Sequence, residues 1–359
     1  MTEAIKRIAI LGAGPGGIAT AAVLSKRGYD VHLFASRHPE KISSIMAAGG
    51  VTIEGDLGED FVPISKITSE ISEALSDRQL ILCMTPANGQ REMAELSAPY
   101  LAPGSIFLLA PGSAGSLEVY SIFRDHGINT LNEILLGEFL TLPQSARIVG
   151  PSEIRIKLPW KPRLAAFPAK DNDRLYQAIQ GILQFRPSPN VLDTGINNVN
   201  FLIHPGPMLL NYAAVERSKG ELSLMNEGMT EGVLRCIDAL DNEKMAISSA
   251  LNLSPASIDE LYIELGSSPS VYREKGEPFG IRDRIWDRYI YEDVPFGTVM
   301  FSSLGNLLGV PTPISDSVNT LLGTLEGVDF YSVGRTAQTL GIDGMKAEDI
   351  SRLLEEGTA

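Results

Sequence analysis

The amino-acid sequence predicts a doubly wound α/β domain followed by an all-α domain. Over the first 190 residues, short apolar runs alternate with helical segments, which is typical of a parallel sheet flanked by helices. After residue 190 the apolar residues follow helical spacing. The chain of 359 residues also exceeds the usual size of one hydrophobic core. We therefore expect a first domain over residues 1–190 and a helical domain over residues 191–359.

Charge and cysteine content exclude several classes of function. The formal net charge of −14 argues against nucleic acid as a partner, because such a partner requires a basic face. Two cysteines, Cys83 and Cys236, are too few for a disulfide framework or a cysteine-rich zinc site, so we expect no metal and a cytoplasmic location. No apolar run reaches about 18 residues, so we expect no membrane span. A homodimer is compatible with these features.

The first chemical motif is a glycine turn close to the start of the chain. A β-rich run over residues 5–11 leads into Gly12, Gly14 and Gly17, and a helical segment follows. In this context Gly12 permits a tight turn, Gly14 lets the backbone approach a pyrophosphate, and Gly17 lets the helix pack close to the strand. The pattern predicts a Rossmann-type dinucleotide site. The alternative is a glycine turn that binds nothing.

The end of the second predicted strand bears on cofactor choice. An acidic residue there would bind the adenosine ribose of NAD, but the strand over residues 30–34 continues into Ala35, Ser36 and Arg37. A hydroxyl and a guanidinium can bind a 2′-phosphate, so the sequence favours NADP over NAD. The alternative is a solvated turn without a ligand.

Further strands are predicted along the first domain. Those over residues 79–84 and 105–110 are followed by Thr85, Pro86 and the turn at 111–113. Because ligands bind beyond the carboxyl ends of parallel strands, these loops are expected to line the nicotinamide side, unless they are plain connections. Short strands, the later ones antiparallel, are also predicted over 128–136, 146–149, 153–159 and 164–167, and a helix over 171–184.

Just past mid-chain, the sequence places one of its four histidines in a mixed setting. His204 lies among apolar residues and four asparagines, which include Asn200. Buried amides need partners, so this mixture indicates a buried polar site rather than simple packing. The alternative is a core histidine bonded to a backbone carbonyl. Pro205 and Pro207 must bend or restart the predicted helix over 197–215.

These motifs together support a resemblance. The glycine turn, the pattern Asn-x-x-x-His-Pro at residues 200–205 and the segment Arg-Tyr-Ile-Tyr-Glu-Asp-Val at 288–294 resemble the opine dehydrogenases. Members of this family join the amine of an amino acid to a 2-oxo acid and reduce the imine with a nicotinamide cofactor. The likeness extends over nearly the whole chain.

The resemblance implies roles for particular residues. His204 is similar to the family's catalytic histidine, Asp293 to its carboxylate partner, and Arg288 to the arginine that binds a substrate carboxylate; Asn200 is expected on the substrate side. Imidazole suits proton transfer near neutral pH, a carboxylate can fix its tautomer, and guanidinium offers a planar fork to a carboxylate. The alternative is that Asp293 and Arg288 form a surface ion pair or bind each other in a structural turn.

Two other functions remain open at this stage. One is an NADPH-dependent reductase of a 2-oxo acid or ketone, similar to ketopantoate reductase or glycerol-3-phosphate dehydrogenase. Those families are expected to use a lysine as general acid, and the matching segment here contains none. The other is a redox sensor that binds NADP without turning it over. The sequence does not specify the amino donor or the oxo acid.

Overall fold

The computed structural model describes residues 4–35, 39–129, 133–157, 160–274 and 284–358. Contacts between residues divide the chain into two compact units. The first comprises Met1–Thr194 together with the C-terminal segment Leu354–Thr358, and the second comprises Gly195–Leu353. The domain limits of 1–190 and 191–359 stay a prediction.

The first unit begins with the alternation that the sequence predicts. Its elements, in chain order, are β1 (Arg7–Leu11), α1 (Pro15–Lys26), β2 (Asp30–Phe34), α2 (Pro39–Ala48), β3 (Gly50–Gly55), β4 (Asp60–Pro63), β5 (Lys66–Thr68), α3 (Ile71–Leu75), β6 (Leu80–Cys83), α4 (Ala87–Ser97), β7 (Ile106–Leu109), α5 (Gly115–Asp125), β8 (Leu135–Phe139), β9 (Ser145–Gly150), β10 (Glu153–Lys157), β11 (Arg163–Phe167), α6 (Asn172–Ile179), β12 (Arg186–Pro187) and α7 (Val191–Ile196).

The described residues of this unit form a main sheet of eight strands, in the order β5-β2-β1-β6-β7-β8-β11-β12. All neighbours run parallel except β8 and β11, which are antiparallel as predicted. Fully buried strands such as β6 and β7 are continuous apolar runs because both of their faces are covered. The predicted doubly wound α/β fold is confirmed.

A second sheet was not predicted from the sequence. It has the strand order β4-β3-β10-β9, and β10 pairs in parallel with β3 across about a hundred residues of chain. Side chains on its inner face, Ile53, Ile154 and Ile156, join the same core as the main sheet. The antiparallel pairing of β9 and β10 agrees with the prediction of tight turns between later strands.

Several predicted boundaries were wrong. The strand predicted over 128–136, of which residues 130–132 lie outside the described part, is observed as β8 from Leu135 to Phe139. The helix predicted over 171–184 ends at Ile179. Gly181 has a φ of 81°, a left-handed conformation that suits glycine and is incompatible with continuing the helix.

The second unit is helical, as predicted. Its helices are α8 (Asn200–Ile203), α9 (Pro205–Arg217), α10 (Glu231–Ala250), α11 (Ile258–Glu264), α12 (Ser270–Arg273), α13 (Arg284–Tyr291), α14 (Val299–Leu308), α15 (Pro313–Glu326), α16 (Phe330–Val333) and α17 (Ala347–Glu356), with π-helical turns at Leu224–Gly228 and Val294–Thr298. The last residues of α17 belong to the first unit. One buried cluster joins α9 and α13 to α14 and α15 through side chains such as Met208, Ile290, Val299 and Leu322. None of the helices in the described residues is long and apolar enough to cross a bilayer.

Candidate active site and dinucleotide site

The glycine turn follows β1 directly and begins α1. Gly12 has a φ of 117°, and a Cβ there would lie 2.7 Å from the Met84 carbonyl oxygen. A Cβ on Gly17 would lie 1.8 Å from the Gly12 oxygen, so only glycine lets the helix approach the strand this closely. By contrast, a Cβ on Gly14 would meet nothing within 4 Å. The turn therefore leaves open space at Gly14 beside the N-terminus of α1, which suits a pyrophosphate.

Two loops lie at the same edge of the main sheet as the glycine turn. Leu11, Cys83 and Leu109 are aligned as the last residues of β1, β6 and β7. Thr85 and Pro86 come just after β6. The Thr85 hydroxyl lies 3.3 Å from Cys83 Sγ, and its methyl group would be 3.1 Å from a Cβ on Gly12. The structure therefore brings Thr85 beside the glycine turn, with Pro86 directly before α4.

The residues predicted to select the cofactor follow β2. Ala35 is buried at the end of this strand, and its N–H donates to the Thr68 carbonyl oxygen. Ser36 and Arg37 lie outside the described residues. The preference for NADP consequently rests on the sequence.

In the helical unit, His204 and Asp293 form a buried pair. His204 Nδ1 lies 2.7 Å from Asp293 Oδ2, and the residues are 7% and 4% exposed. Because a carboxylate can only accept, Nδ1–H is the donor, and Nε2 is the nitrogen that remains to exchange a proton with a ligand. The partner of His204 Nδ1 is a carboxylate, not the backbone carbonyl of the alternative interpretation.

Local structure explains how these two residues meet. His204 lies between α8 and α9, where Pro205 begins a new helix because its ring cannot continue the first. Asp293 directly precedes the π-helical turn at Val294–Thr298. A Cβ on Gly297 of that turn would lie 2.3 Å from Phe201 Cγ, so glycine allows α8 to pack directly against the segment that carries Asp293.

A tyrosine that was not predicted as a site residue, Tyr289, packs against His204. The rings of His204 and Tyr289 are stacked, with centroids 3.6 Å apart and planes 17° apart. Tyr289 lies on α13, one turn before Asp293. The ring plane of His204 is thus constrained by Tyr289 on one face and by Asp293 at Nδ1. The only sequence signal for Tyr289 was its position inside the matched segment 288–294.

Arg288 does not pair with Asp293 in the way that the surface alternative supposed. Its Nε donates to Glu292 Oε2 at 2.8 Å, and its side chain is about half-exposed while that of Glu292 is buried. The Glu292 carboxylate, with a smaller contribution from Asp293, raises the pKa of Arg288 further. With Nε taken by Glu292, the two terminal nitrogens are the pair that suits a carboxylate ligand. In the sequence, the four-residue spacing between Arg288 and Glu292, which brings two side chains together on one face of a helix, was the available signal for this ion pair.

Asn200 occupies the first position of α8, one turn before His204. Its carbonyl oxygen accepts the His204 N–H at 3.1 Å, and its own N–H donates to Asn198 Oδ1 at 3.2 Å. Asn200 is partly exposed, whereas Asn197 and Asn198 are buried. Among the described residues, no group of three or more His, Cys, Asp or Glu side chains could hold a metal ion.

Comparison with known proteins adds to this geometry. Residues 187–325 match the family described as NAD/NADP octopine/nopaline dehydrogenase, alpha-helical domain. The opine dehydrogenase of Arthrobacter sp. (strain 1C) is 33% identical over 360 residues, which cover 98% of this chain and 99% of that protein. The chain belongs to the opine dehydrogenase family.

Solved structures related to this opine dehydrogenase family member share its fold. Yersinopine dehydrogenase with NADP⁺ bound has a TM-score of 0.73 at 13% identity and covers 99% of both chains. Octopine dehydrogenase with NADH and L-arginine has a TM-score of 0.70 at 17% identity and covers 98% of both chains. As an opine dehydrogenase family member, the chain is an NAD(P)-dependent oxidoreductase, and the open space at Gly14 beside the N-terminus of α1 suits the pyrophosphate of such a cofactor.

Proposed function

We propose that this enzyme is an NADP-dependent opine dehydrogenase that joins an amino acid, or another amine, to a 2-oxo acid. The observation that carries the proposal is the buried His204–Asp293 pair with Arg288 on the helix immediately before Asp293. An acid–base group and a carboxylate anchor are the two requirements for activating a 2-oxo acid. The nearly full-length similarity to the Arthrobacter opine dehydrogenase supports the same reaction class.

Each residue has a defined task in this proposal. The Arg288 guanidinium binds the carboxylate of the oxo acid, and Asn200 contributes on the substrate side. The amine nitrogen attacks the carbonyl carbon, and one of its protons passes to the carbonyl oxygen. His204 Nε2 donates the second proton, with which this oxygen leaves as water and an iminium group forms. Asp293 holds Nδ1 and so keeps Nε2 directed at the reacting group. When the amine is an amino acid, the product is a secondary amine that carries both carboxylates.

The dinucleotide belongs to the first unit. Gly12, Gly14 and Gly17 would hold its pyrophosphate, with Thr85 and Pro86 on the nicotinamide side. When bound in its reduced form, the cofactor supplies the hydride for the imine carbon. Ser36 and Arg37 would bind the 2′-phosphate, which is the basis for proposing NADPH rather than NADH.

The decisive assay combines the enzyme and NADPH with pyruvate, 2-oxoglutarate or oxaloacetate and with pools of amino acids. Cofactor oxidation and product mass are followed together. Oxidation that requires both organic substrates, with a mass equal to the condensed and reduced product, supports the proposal. Oxidation with the oxo acid alone, yielding a hydroxy acid, would refute it in favour of a simple 2-oxo acid reductase. If the protein bound NADPH but turned over no combination of oxo acid and amino acid, the redox-sensor alternative would be favoured.

Cofactor choice has its own test. Replacing Arg37 by alanine should lower the preference for NADPH over NADH, measured as the ratio of kcat/KM values, by about ten- to a hundredfold, as expected for charge-assisted bonds to phosphate. Arg27→Ala is the control, since Arg27 follows α1 and donates to the carbonyl oxygens of Gly181 and Ile182. Equal use of both cofactors by the parent enzyme would contradict the proposal.

A further inference from the structure

A buried carboxylate lies at the carboxyl edge of the main sheet, in the first unit. Glu138 is fully buried on β8 and is aligned with Leu109 on β7. The same row continues through Cys83 and Leu11, the last residues of β6 and β1. Glu138 therefore lies at the edge where the glycine turn and the Thr85 loop emerge. A buried carboxylate is rare unless it has a specific set of partners.

The partners of Glu138 belong to the turn after β7. Its Oε1 accepts the Ala114 N–H at 2.8 Å, its Oε2 accepts the Ser116 N–H at 2.9 Å, and the Thr194 hydroxyl donates to Oε1 at 2.9 Å. A Cβ on Gly112 would lie 2.3 Å from the Glu138 side chain. The carboxylate thus occupies the inside of the turn and binds the N–H groups of Ala114, directly before α5, and of Ser116, in its first turn.

The conformation of this turn needs such support. Ser113 and Ala114 both have left-handed backbones, with φ of 56° and 62°. A non-glycine residue in this region is strained and persists only where its neighbours enforce the conformation. On the other side of the turn, buried Gln90 donates from Nε2 to the Pro111 carbonyl oxygen at 2.6 Å. Glu138 and Gln90 therefore clamp the turn from two sides.

The topology assigns a place to this turn relative to a dinucleotide. The glycine turn after β1 would face the pyrophosphate of a bound dinucleotide, with its adenosine side toward β2. Because β6 and β7 lie on the other side of β1 in the sheet, the nicotinamide side would lie toward those two strands. The turn at 111–114 follows β7 at that edge. A rigid turn at this point can hold the nicotinamide ring at a fixed distance and orientation.

We propose that Glu138, together with Gln90, is a positioning residue that fixes the 111–114 turn as one wall of the nicotinamide subsite. This inference rests on the proposed dinucleotide function. Glu138 acts through the backbone of Ala114 and Ser116 and does not touch the ligand. Its loss lets the turn relax, so the nicotinamide half of the cofactor is held less firmly while the adenosine half keeps its contacts.

The test compares whole and truncated cofactors. In Glu138→Gln, one oxygen becomes an NH₂ group that faces a backbone N–H and cannot accept its hydrogen bond. We expect the affinity for NADPH, measured by calorimetry and by the fluorescence of the bound nicotinamide, to fall about tenfold, the worth of one hydrogen bond to a charged group. The affinity for 2′-phospho-ADP-ribose, which lacks nicotinamide, should stay within about twofold, because its contacts are unchanged. Faster hydrogen exchange at residues 112–116 of the unliganded protein should accompany the change.

Matched variants separate the outcomes. Glu133→Gln replaces an exposed glutamate just before β8 and should leave all three readouts unchanged. Gln90→Met removes the second clamp without touching the carboxylate, and it tests the inference if Glu138→Gln does not fold. A merely structural role would lower Tm and weaken both ligands equally, which would overturn the inference. If the parent protein bound no dinucleotide, the proposed function itself would fail; unchanged NADPH affinity in both clamp variants would overturn only the role of the turn.

Discussion

At the scale of single residues, the chemistry proposed for the helical unit depends on how the His204 imidazole is held. His204 is held at Nδ1 by Asp293 and on its face by the Tyr289 ring. Both contacts fix the direction in which Nε2 points. Arg288 is held in a similar way, because the buried Glu292 carboxylate engages its Nε. Each group proposed to meet substrate is thus backed by a second residue that restricts its geometry.

Replacing His204 by glutamine tests the proton donor. A neutral amide can fill much of the space but cannot exchange a proton, so kcat should fall by roughly 10² or more, the usual worth of a positioned acid or base. NADPH binding, measured by nicotinamide fluorescence, should be nearly unchanged. His126→Gln is the control, since His126 is exposed and pairs with Glu95. Near-normal turnover of His204→Gln would show that another group donates the proton.

Replacing Tyr289 separates ring stacking from hydroxyl chemistry. Tyr289→Phe keeps the stacked ring and should keep kcat, whereas Tyr289→Leu should lower kcat by about tenfold through a mispositioned imidazole. KM for NADPH should not change. The NMR signals of the His204 ring protons should move downfield in Tyr289→Leu, because the ring current of the stacked phenol is lost.

Tyr291 provides the matched control on the same helix. Its ring packs against Phe330, and its hydroxyl donates to Glu326 at 2.7 Å. Tyr291→Leu should therefore lower stability while leaving the His204 ring signals in place. Equal loss of kcat in Tyr289→Phe and Tyr289→Leu would contradict a role for stacking.

At the scale of elements, the junction of β1 and α1 shows how one motif combines two different demands. Gly12 and Gly17 are required by the close packing of strand, turn and helix, whereas Gly14 has open space around its Cβ position. The first demand concerns folding and the second concerns a ligand. The motif predicts this division of roles, and the structure shows the packing demand at Gly12 and Gly17.

Alanine substitutions can separate these demands. Gly17→Ala places a Cβ 1.8 Å from the Gly12 oxygen, so the helix must move and stability should fall by about 1–3 kcal/mol, as for other overpacked sites. Gly14→Ala should leave stability within about 0.5 kcal/mol but weaken NADPH binding by tenfold or more, because the methyl group occupies the approach to the pyrophosphate. Urea unfolding and calorimetry measure the two effects. Normal NADPH affinity in Gly14→Ala would place the dinucleotide elsewhere.

At the scale of the whole chain, each unit has a buried apolar cluster among its described residues, and buried polar side chains anchor some of the connections. In the helical unit, Lys244 is fully buried on α10, forms an ion pair with Asp241 across 2.7 Å and donates to the Ala256 carbonyl oxygen at 2.5 Å. Asp241 in turn accepts the Ile258 N–H at the start of α11. Lys244 therefore helps to fix the connection between α10 and α11.

Replacing Lys244 by methionine should lower the free energy of unfolding by about 3 kcal/mol, because Asp241 is left as an unpaired buried charge. The double variant Lys244→Met with Asp241→Asn should recover much of this loss, since the amide oxygen can still accept the Ile258 N–H. Lys346→Met, at an exposed position of the same unit, is the control. Urea unfolding followed by circular dichroism provides the measurement. A loss of equal size in the single and double variants would show that packing, not charge pairing, sets the effect.

Much of the architecture could be predicted from the sequence because it depends on local spacing. The alternation of strands and helices, the glycine turn, the break at Pro205 and the helical character after residue 190 follow from periodicity and from residues with restricted backbones. His204, Asp293 and Arg288 could be named because the resemblance placed them in matched motifs. The strand boundaries near residue 135 and the end of α6 were less accurate, since the backbones of exposed and buried turns are set by their neighbours.

What only the tertiary structure decided are the partners that lie far apart in the chain. The pairing of β3 with β10, the bonds from Glu138 to the turn before α5 and the stacking of Tyr289 on His204 leave no periodic signal. Each of these contacts forms because the burial it brings outweighs the entropy lost in closing a long loop. Many other pairings would satisfy the same local sequence pattern. The sequence therefore determined the elements and the reactive groups, whereas the three-dimensional packing determined which residues hold those groups in place.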